Sequence, residues 1–144
     1  MAANKARERL TGINLLMPSA AVIASGDPVI FGQGAHYLVG VANSGQNLTT
    51  KPPYFSNTGY LSLDCEGSFN FTVVARVSKS PSAGAAIKPG DKIYASGGTF
   101  DPVTSITYGF ELDADSTGSF YGIAEDALAA GTTGTIRVSI KGAL

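Results

Sequence analysis

Apolar and polar residues alternate with a period of two along much of this chain. Phe69, Phe71, Val73, Ala75 and Val77 fall on one side of an extended segment, with Asn70, Thr72, Val74 and Arg76 on the other. Ile136, Val138 and Ile140 alternate in the same way with Thr135, Arg137, Ser139 and Lys141. So do Leu61, Leu63 and Cys65 with their polar neighbours, and Tyr108, Phe110 and Leu112 with theirs. Successive side chains of a strand point to opposite faces, so the pattern predicts strands with one buried and one wet side. Turn formers separate the runs, among them Ser25-Gly26-Asp27-Pro28, Pro89-Gly90-Asp91, Ser96-Gly97-Gly98 and Gly131-Thr132-Thr133-Gly134. Glycine supplies positive φ in such turns, and Asp bonds nearby backbone through its own carboxylate. Short strands punctuated this often predict an all-β chain, a small single-domain barrel or sandwich. One helix of one or two turns is expected at residues 125–130. Residues 47–55, which contain Pro52-Pro53, and residues 77–88 are expected to be surface loops.

The pattern divides the chain into an N-terminal arm, 1–12, and a β-domain, 13–144. Lys5, Arg7, Arg9 and Leu10 give the arm a basic character, and alone it is too short to hold a stable helix. Charged residues make up 15% of the chain, against about 25% in an ordinary soluble protein. Its exterior is therefore rich in Gly, Ser, Thr, Ala and Asn, a surface that is cheap to desolvate against a partner. The net charge is −1 with no long basic run, which argues against nucleic acid as a partner. No apolar run reaches the roughly 18 residues a membrane helix needs, so no membrane association is expected. The N-terminal residues lack the apolar core of a secretion signal, which implies folding in a cytoplasm.

Candidate chemistry is sparse. His36 is the sole histidine and Cys65 the sole cysteine, so a disulfide, a Cys-based zinc site and an activated thiol are all poorly motivated; Cys65 reads as an inert buried thiol. Asp113-Ala114-Asp115 opens like a calcium loop, but Ala124 stands where the bidentate Glu belongs, so a hairpin turn is the expected reading. Gly32-Gln33-Gly34 lacks the third glycine of a dinucleotide loop and reads as a turn. Asp27 and Asp91 could form a carboxylate pair, yet each follows a glycine at a turn, where Asp ordinarily serves the backbone. The residues thus point to no catalytic group, no cofactor and no metal. The sequons at Asn47-Leu48-Thr49 and Asn70-Phe71-Thr72 carry no weight without a secretion signal.

The chain also echoes itself. Gly26-Asp27-Pro28-Val29-Ile30 reappears as Gly90-Asp91-Lys92-Ile93-Tyr94, and Gly40-Val41-Ala42 as Gly122-Ile123-Ala124. These motifs, followed by a glycine-rich turn into Thr135-Ile136-Arg137-Val138-Ser139-Ile140-Lys141, resemble in their order a family of small tailed-phage and prophage head proteins. The resemblance spans about residues 12–142, with the basic arm and a longer middle as departures. It implies a compact, β-tulip-like fold and a non-enzymatic role as a capsid decoration, or cement, protein. The implied partner is the major capsid protein, bound from the outside of the virion after assembly in the host cytoplasm. A homotrimer and an arm docked through Lys5, Arg7, Arg9 and Leu10 belong to the same expectation. Gly26, Asp27, Gly90 and Asp91 are expected as structural turns. Some members of the family carry the label recombinase; the phosphate-cradling Gly-x-x-x-x-Gly-Lys-Ser/Thr loop that label calls for is absent here. The alternative from a different class is a ligand- or glycan-binding β-module of a head fibre, with Tyr37, Tyr54, Phe55, Tyr60 and Tyr121 as the available aromatics.

Overall fold

The structure is a computed structural model that describes residues 12–16, 23–42, 60–79 and 82–141. Among these residues every regular element is a strand. In chain order they are β1 (Gly12–Leu16), β2 (Pro28–Gln33), β3 (His36–Ala42), β4 (Tyr60–Asp64), β5 (Glu66–Val74), β6 (Arg76–Lys79) and β7 (Ser82–Gly84). They continue as β8 (Lys92–Ser96), β9 (Thr99–Asp101), β10 (Ile106–Tyr108), β11 (Glu111–Asp113), β12 (Ser119–Ala124) and β13 (Thr133–Lys141). Strands β11-β5-β13-β12-β8 close into a barrel, and β1-β4-β3-β2-β10-β9 form an open six-stranded sheet beside it. The all-β expectation is met, and the barrel is its main body.

The echo in the sequence is the trace of a larger repeat. The sheet order β1-β4-β3-β2-β10 matches the barrel order β5-β13-β12-β8-β11, and every neighbouring pair in both series is antiparallel. The difference lies in the ends. In the barrel, β11 meets β5 in a short parallel pairing, Leu112 with Val73 and Asp113 with Val74, and the ring closes. In the sheet the ends stay apart, and β9 adds a further strand to one edge. A two-residue turn joins β2 to β3. The equivalent link from β8 to β12 is expanded over residues 97–118, and it sends β9 and β10 across to the sheet before returning through β11.

Alternation decides which residues are buried. On β13, Ile136, Val138 and Ile140 face the core, each at 3% exposure or less, and full burial of such a side chain contributes about 1.5–3 kcal/mol. They meet Phe71 and Val73 of β5, Ile93 of β8, Tyr121 of β12 and, from the sheet, Ile30, Val39 and Val41. A second cluster on the other face of the sheet joins Val29, Ala42, Leu63, Cys65 and Ile106. Val29 and Ile30 are consecutive and both buried, as in a strand covered on both faces.

Four expectations need correction. Residues 125–130 form no helix: Leu128 exchanges backbone hydrogen bonds with Ile87, N to O, at 2.8 and 2.9 Å, so tertiary pairing overrides the helix propensity of the alanines. Residues 77–88 are not a plain loop, because β6 and β7 pair as a hairpin and Ile87 is buried. The run from Phe69 to Val77 is not one strand. At Ala75, whose carbonyl accepts from Ala85 and Gly131, the chain leaves the barrel, and Val77 is exposed. Tyr108 and Leu112 belong to different sheets, separated by Gly109 at φ 69°.

Candidate functional site

The two Gly-Asp motifs build the same device twice. In each, the Asp carboxylate accepts from the backbone N–H three residues earlier, Asp27 from Ala24 and Asp91 from Lys88, both at 2.8 Å. The Asp N–H returns a bond to the carbonyl of that same residue, at 3.1 and 3.0 Å. Gly26 and Gly90, at φ 91° and 95°, supply the left-handed turn that other residues rarely adopt. Each turn then clamps the alanine of its Gly-x-Ala strand. Gly26 N–H donates to the Ala42 carbonyl and Ala42 N–H to that of Asp27, at 2.8 and 2.9 Å. Gly90 and Asp91 hold Ala124 in the same way, both bonds at 2.8 Å. These four residues form structural turns, and one oxygen of each carboxylate is engaged with its own backbone.

Two tyrosines tie sheet to barrel in opposite directions, and alternation alone did not reveal them. Pairing between β12 and β8 slips between Phe120 and Gly122, leaving Tyr121 as the extra residue of a bulge. The bulge turns Tyr121 fully inward, against Phe71 at 5.5 Å and Phe110 at 5.8 Å between ring centroids. Its hydroxyl donates to the Gly40 carbonyl of β3 at 2.6 Å. Burial pushes the Tyr121 phenol far above its ordinary value, so it stays a donor. Tyr121 is therefore no exposed binding aromatic. Tyr37 of β3 reaches the other way and donates to the Phe120 carbonyl at 2.8 Å; partial burial also raises its pKa.

The remaining candidates disperse. His36 is exposed at the start of β3, whereas Cys65 is wholly buried in the second cluster. Asp113 is buried completely: one carboxylate oxygen accepts from Ser96 Oγ at 2.9 Å and Asp115 N–H at 3.0 Å, and the other faces Arg76 Nε at 3.5 Å. Arg76 also pairs with Glu111. Asp113 thus holds the seam where β11 closes the barrel. The 114–118 turn is not a hairpin, because β11 and β12 lie on opposite sides of β8. The arm residues Lys5, Arg7, Arg9 and Leu10, with Tyr54 and Phe55, lie outside the described residues, as does the side chain of Tyr60.

Two surface features remain. The first is the tip of the β9–β10 hairpin, where Val103 is 85% exposed and Phe100 37%. Asp101 locks this tip: its carboxylate accepts from Thr104 Oγ1 at 2.6 Å and Val103 N–H at 3.3 Å, and its carbonyl from Ser105 N–H at 2.8 Å. Ser105 takes φ 59°, a left-handed conformation costing about 1–2 kcal/mol outside glycine. No family model, curated protein or solved structure matches the chain. The second feature is a cleft of about 290 Å³ lined by residues 25–28, residues 70–72, Phe110 and Leu112, where sheet and barrel part.

The lock at the tip can be read by pH. The Thr104 hydroxyl, and after it the neighbouring backbone, hold the Asp101 carboxyl below its usual range. A depressed folded pKa stabilises the folded state above the ordinary carboxylate range, and that contribution is lost as pH falls through the lowered value. Carboxyl-carbon NMR should therefore show Asp101 titrating below ordinary aspartates, and Thr104→Val should move it up toward them.

Proposed function

We propose that this chain is a decoration protein of a tailed-phage head, binding the outer surface of the major capsid lattice and stiffening it without catalysing a reaction. The observation that carries the reading is the coincidence of motif and framework. The segments resembling phage head proteins are the Gly-Asp turns, their clamped Gly-x-Ala strands and β13, which together form the repeated skeleton of the fold. Short motifs matched by chance would scatter over loops and edges. The sparsely charged exterior supports the same reading, because it can be buried against a neighbour with few charges to desolvate.

Contact with the lattice is assigned to two places: the basic arm, through Lys5, Arg7, Arg9 and Leu10, and the apolar β9–β10 tip. Residues 97–110 carry one charge, Asp101, whose carboxylate is already engaged. An apolar knob whose one carboxylate is held by its own turn suits a shallow protein pocket and loses little entropy on docking. A symmetric trimer would repeat each weak contact and raise avidity.

The test uses purified protein added to heads that lack it. Bound copies should form a regular layer and raise resistance to heat and osmotic shock. Removing residues 1–12, or making Val103→Glu, should weaken occupancy about tenfold or more, as expected when an apolar anchor or several charges leave an interface. The melting temperature should be unchanged by Val103→Glu, because Val103 is 85% exposed. Heads that neither bind the protein nor gain resistance would end this proposal.

A further inference from the structure

The cleft between sheet and barrel has a definite origin. β13 pairs along all nine residues of β5, but β11 pairs only with Val73 and Val74. The flank of β5 over residues 70–72 is therefore left open on the side away from β13, and the Ser25–Pro28 turn and Phe110 border it. We propose that this cleft is a binding site for a neutral sugar ring. The assignment does not depend on the decoration reading.

The polar groups around the cleft are of the kind hydroxyl-rich ligands require. Asn70 and Thr72 lie on the exposed face of β5, and neither side chain bonds any described residue. Asp27 uses Oδ2 for the Ala24 N–H, and Oδ1 has no partner among the described residues. An amide that both donates and accepts, a hydroxyl that does both and a carboxylate oxygen that accepts together match vicinal hydroxyls, each of which must do both. Phe110 and Leu112 border the cleft as buried core side chains, so a ligand there is held through its hydroxyls.

Charge and size narrow the class. Among the described residues Asp27 is the only charged one lining the cleft, so phosphorylated or acidic sugars meet a like charge there. A compact cation would find a carboxylate already half committed to its turn and no ring of aromatics around it. At about 290 Å³ the cleft sits at the small end of ligand pockets, which suits one ring or the exposed end of a longer glycan.

The experiment is an amide NMR titration of the full chain with glucose, galactose, mannose and N-acetylglucosamine at millimolar concentrations, with glucose 6-phosphate as the charged comparison. At least one neutral sugar should shift amides at residues 25–27, 70–72 and 110–112 and leave those of the β9–β10 tip in place. Asn70→Ala and Thr72→Val should each weaken that binding about fivefold to tenfold, the worth of one hydrogen bond, while the melting temperature holds. Absence of localised shifts with all four sugars overturns the site. So does equal binding of glucose 6-phosphate, or binding unaltered in both variants. Head occupancy, measured separately, reports on the decoration reading alone.

Discussion

Asp113→Ala should lower the unfolding free energy by about 3 kcal/mol in urea titration, the range expected when one partner of a buried ion pair is removed. Asp113 is wholly buried, and its loss removes the acceptor that Ser96 Oγ, the Asp115 N–H and one edge of the Arg76 guanidinium share. Arg76 keeps Glu111, which holds the cost near the lower end of that range. Asp113→Asn should cost less, about 1–2 kcal/mol, because an amide oxygen can still accept from Ser96 and Asp115. The damage should be local at first. β11 joins β5 through two residue pairs only, so amide exchange in Asp113→Asn should accelerate at Leu112 and Val73 before it does along β13. Uniform acceleration across the barrel would show that Asp113 does not hold the seam.

Gly122→Ala and Gly40→Ala should differ sharply, although the two glycines occupy equivalent places in the repeat. A Cβ on Gly122 would lie 2.5 Å from the Ser139 carbonyl oxygen and 2.7 Å from Val138 Cγ1. Neither can retreat cheaply, because Ser139 is paired with Ile123 and Val138 is fully buried. The expected loss is about 3 kcal/mol, the upper range for overpacking. At Gly40 the nearest atoms are Leu63 Cβ at 3.2 Å and the Asp64 oxygen at 3.3 Å, a strain of a few tenths of an ångström. Replacing a strand glycine by alanine also recovers about 0.5–1 kcal/mol of backbone entropy, so Gly40→Ala should fall within about 1 kcal/mol of the parent. Thermal and chemical denaturation of the two variants side by side would decide it; equal losses would mean that the copies tolerate crowding alike.

Residue alternation made the all-β class and the core face of β13 readable, because one buried and one wet face leave an unambiguous period. The Gly-Asp turns were readable for a similar reason: glycine at positive φ and a side chain that caps its own backbone are local requirements. The full five-strand order common to sheet and barrel was not. β1 and β5, or β4 and β13, share no motif, since a strand asks only for alternation and not for particular residues. The seam was hidden because Asp113 looks polar and its burial depends on Ser96 and Arg76, which are distant in the sequence. The burial of Tyr121 is not legible in the sequence, because a bulge resets the register at that residue. The apolar tip left one signal, Phe100 and Val103 flanking Asp101-Pro102, but nothing local states that a hairpin will carry them to the edge of a different sheet.

The place of β13 has a consequence for biosynthesis. It is the last of the described strands in chain order, yet it sits between β5 and β12, and it is the neighbour along the whole length of β5. A ribosome-bound chain lacking residues 133–141 can assemble the β2–β3 hairpin, but it must carry β5 with its long flank bare. Closure of the ring is thus deferred until translation has passed Lys141. Until then the nascent polypeptide exposes Phe71 and Val73, which makes chaperone capture or pairing with another emerging copy the main hazard along its folding route.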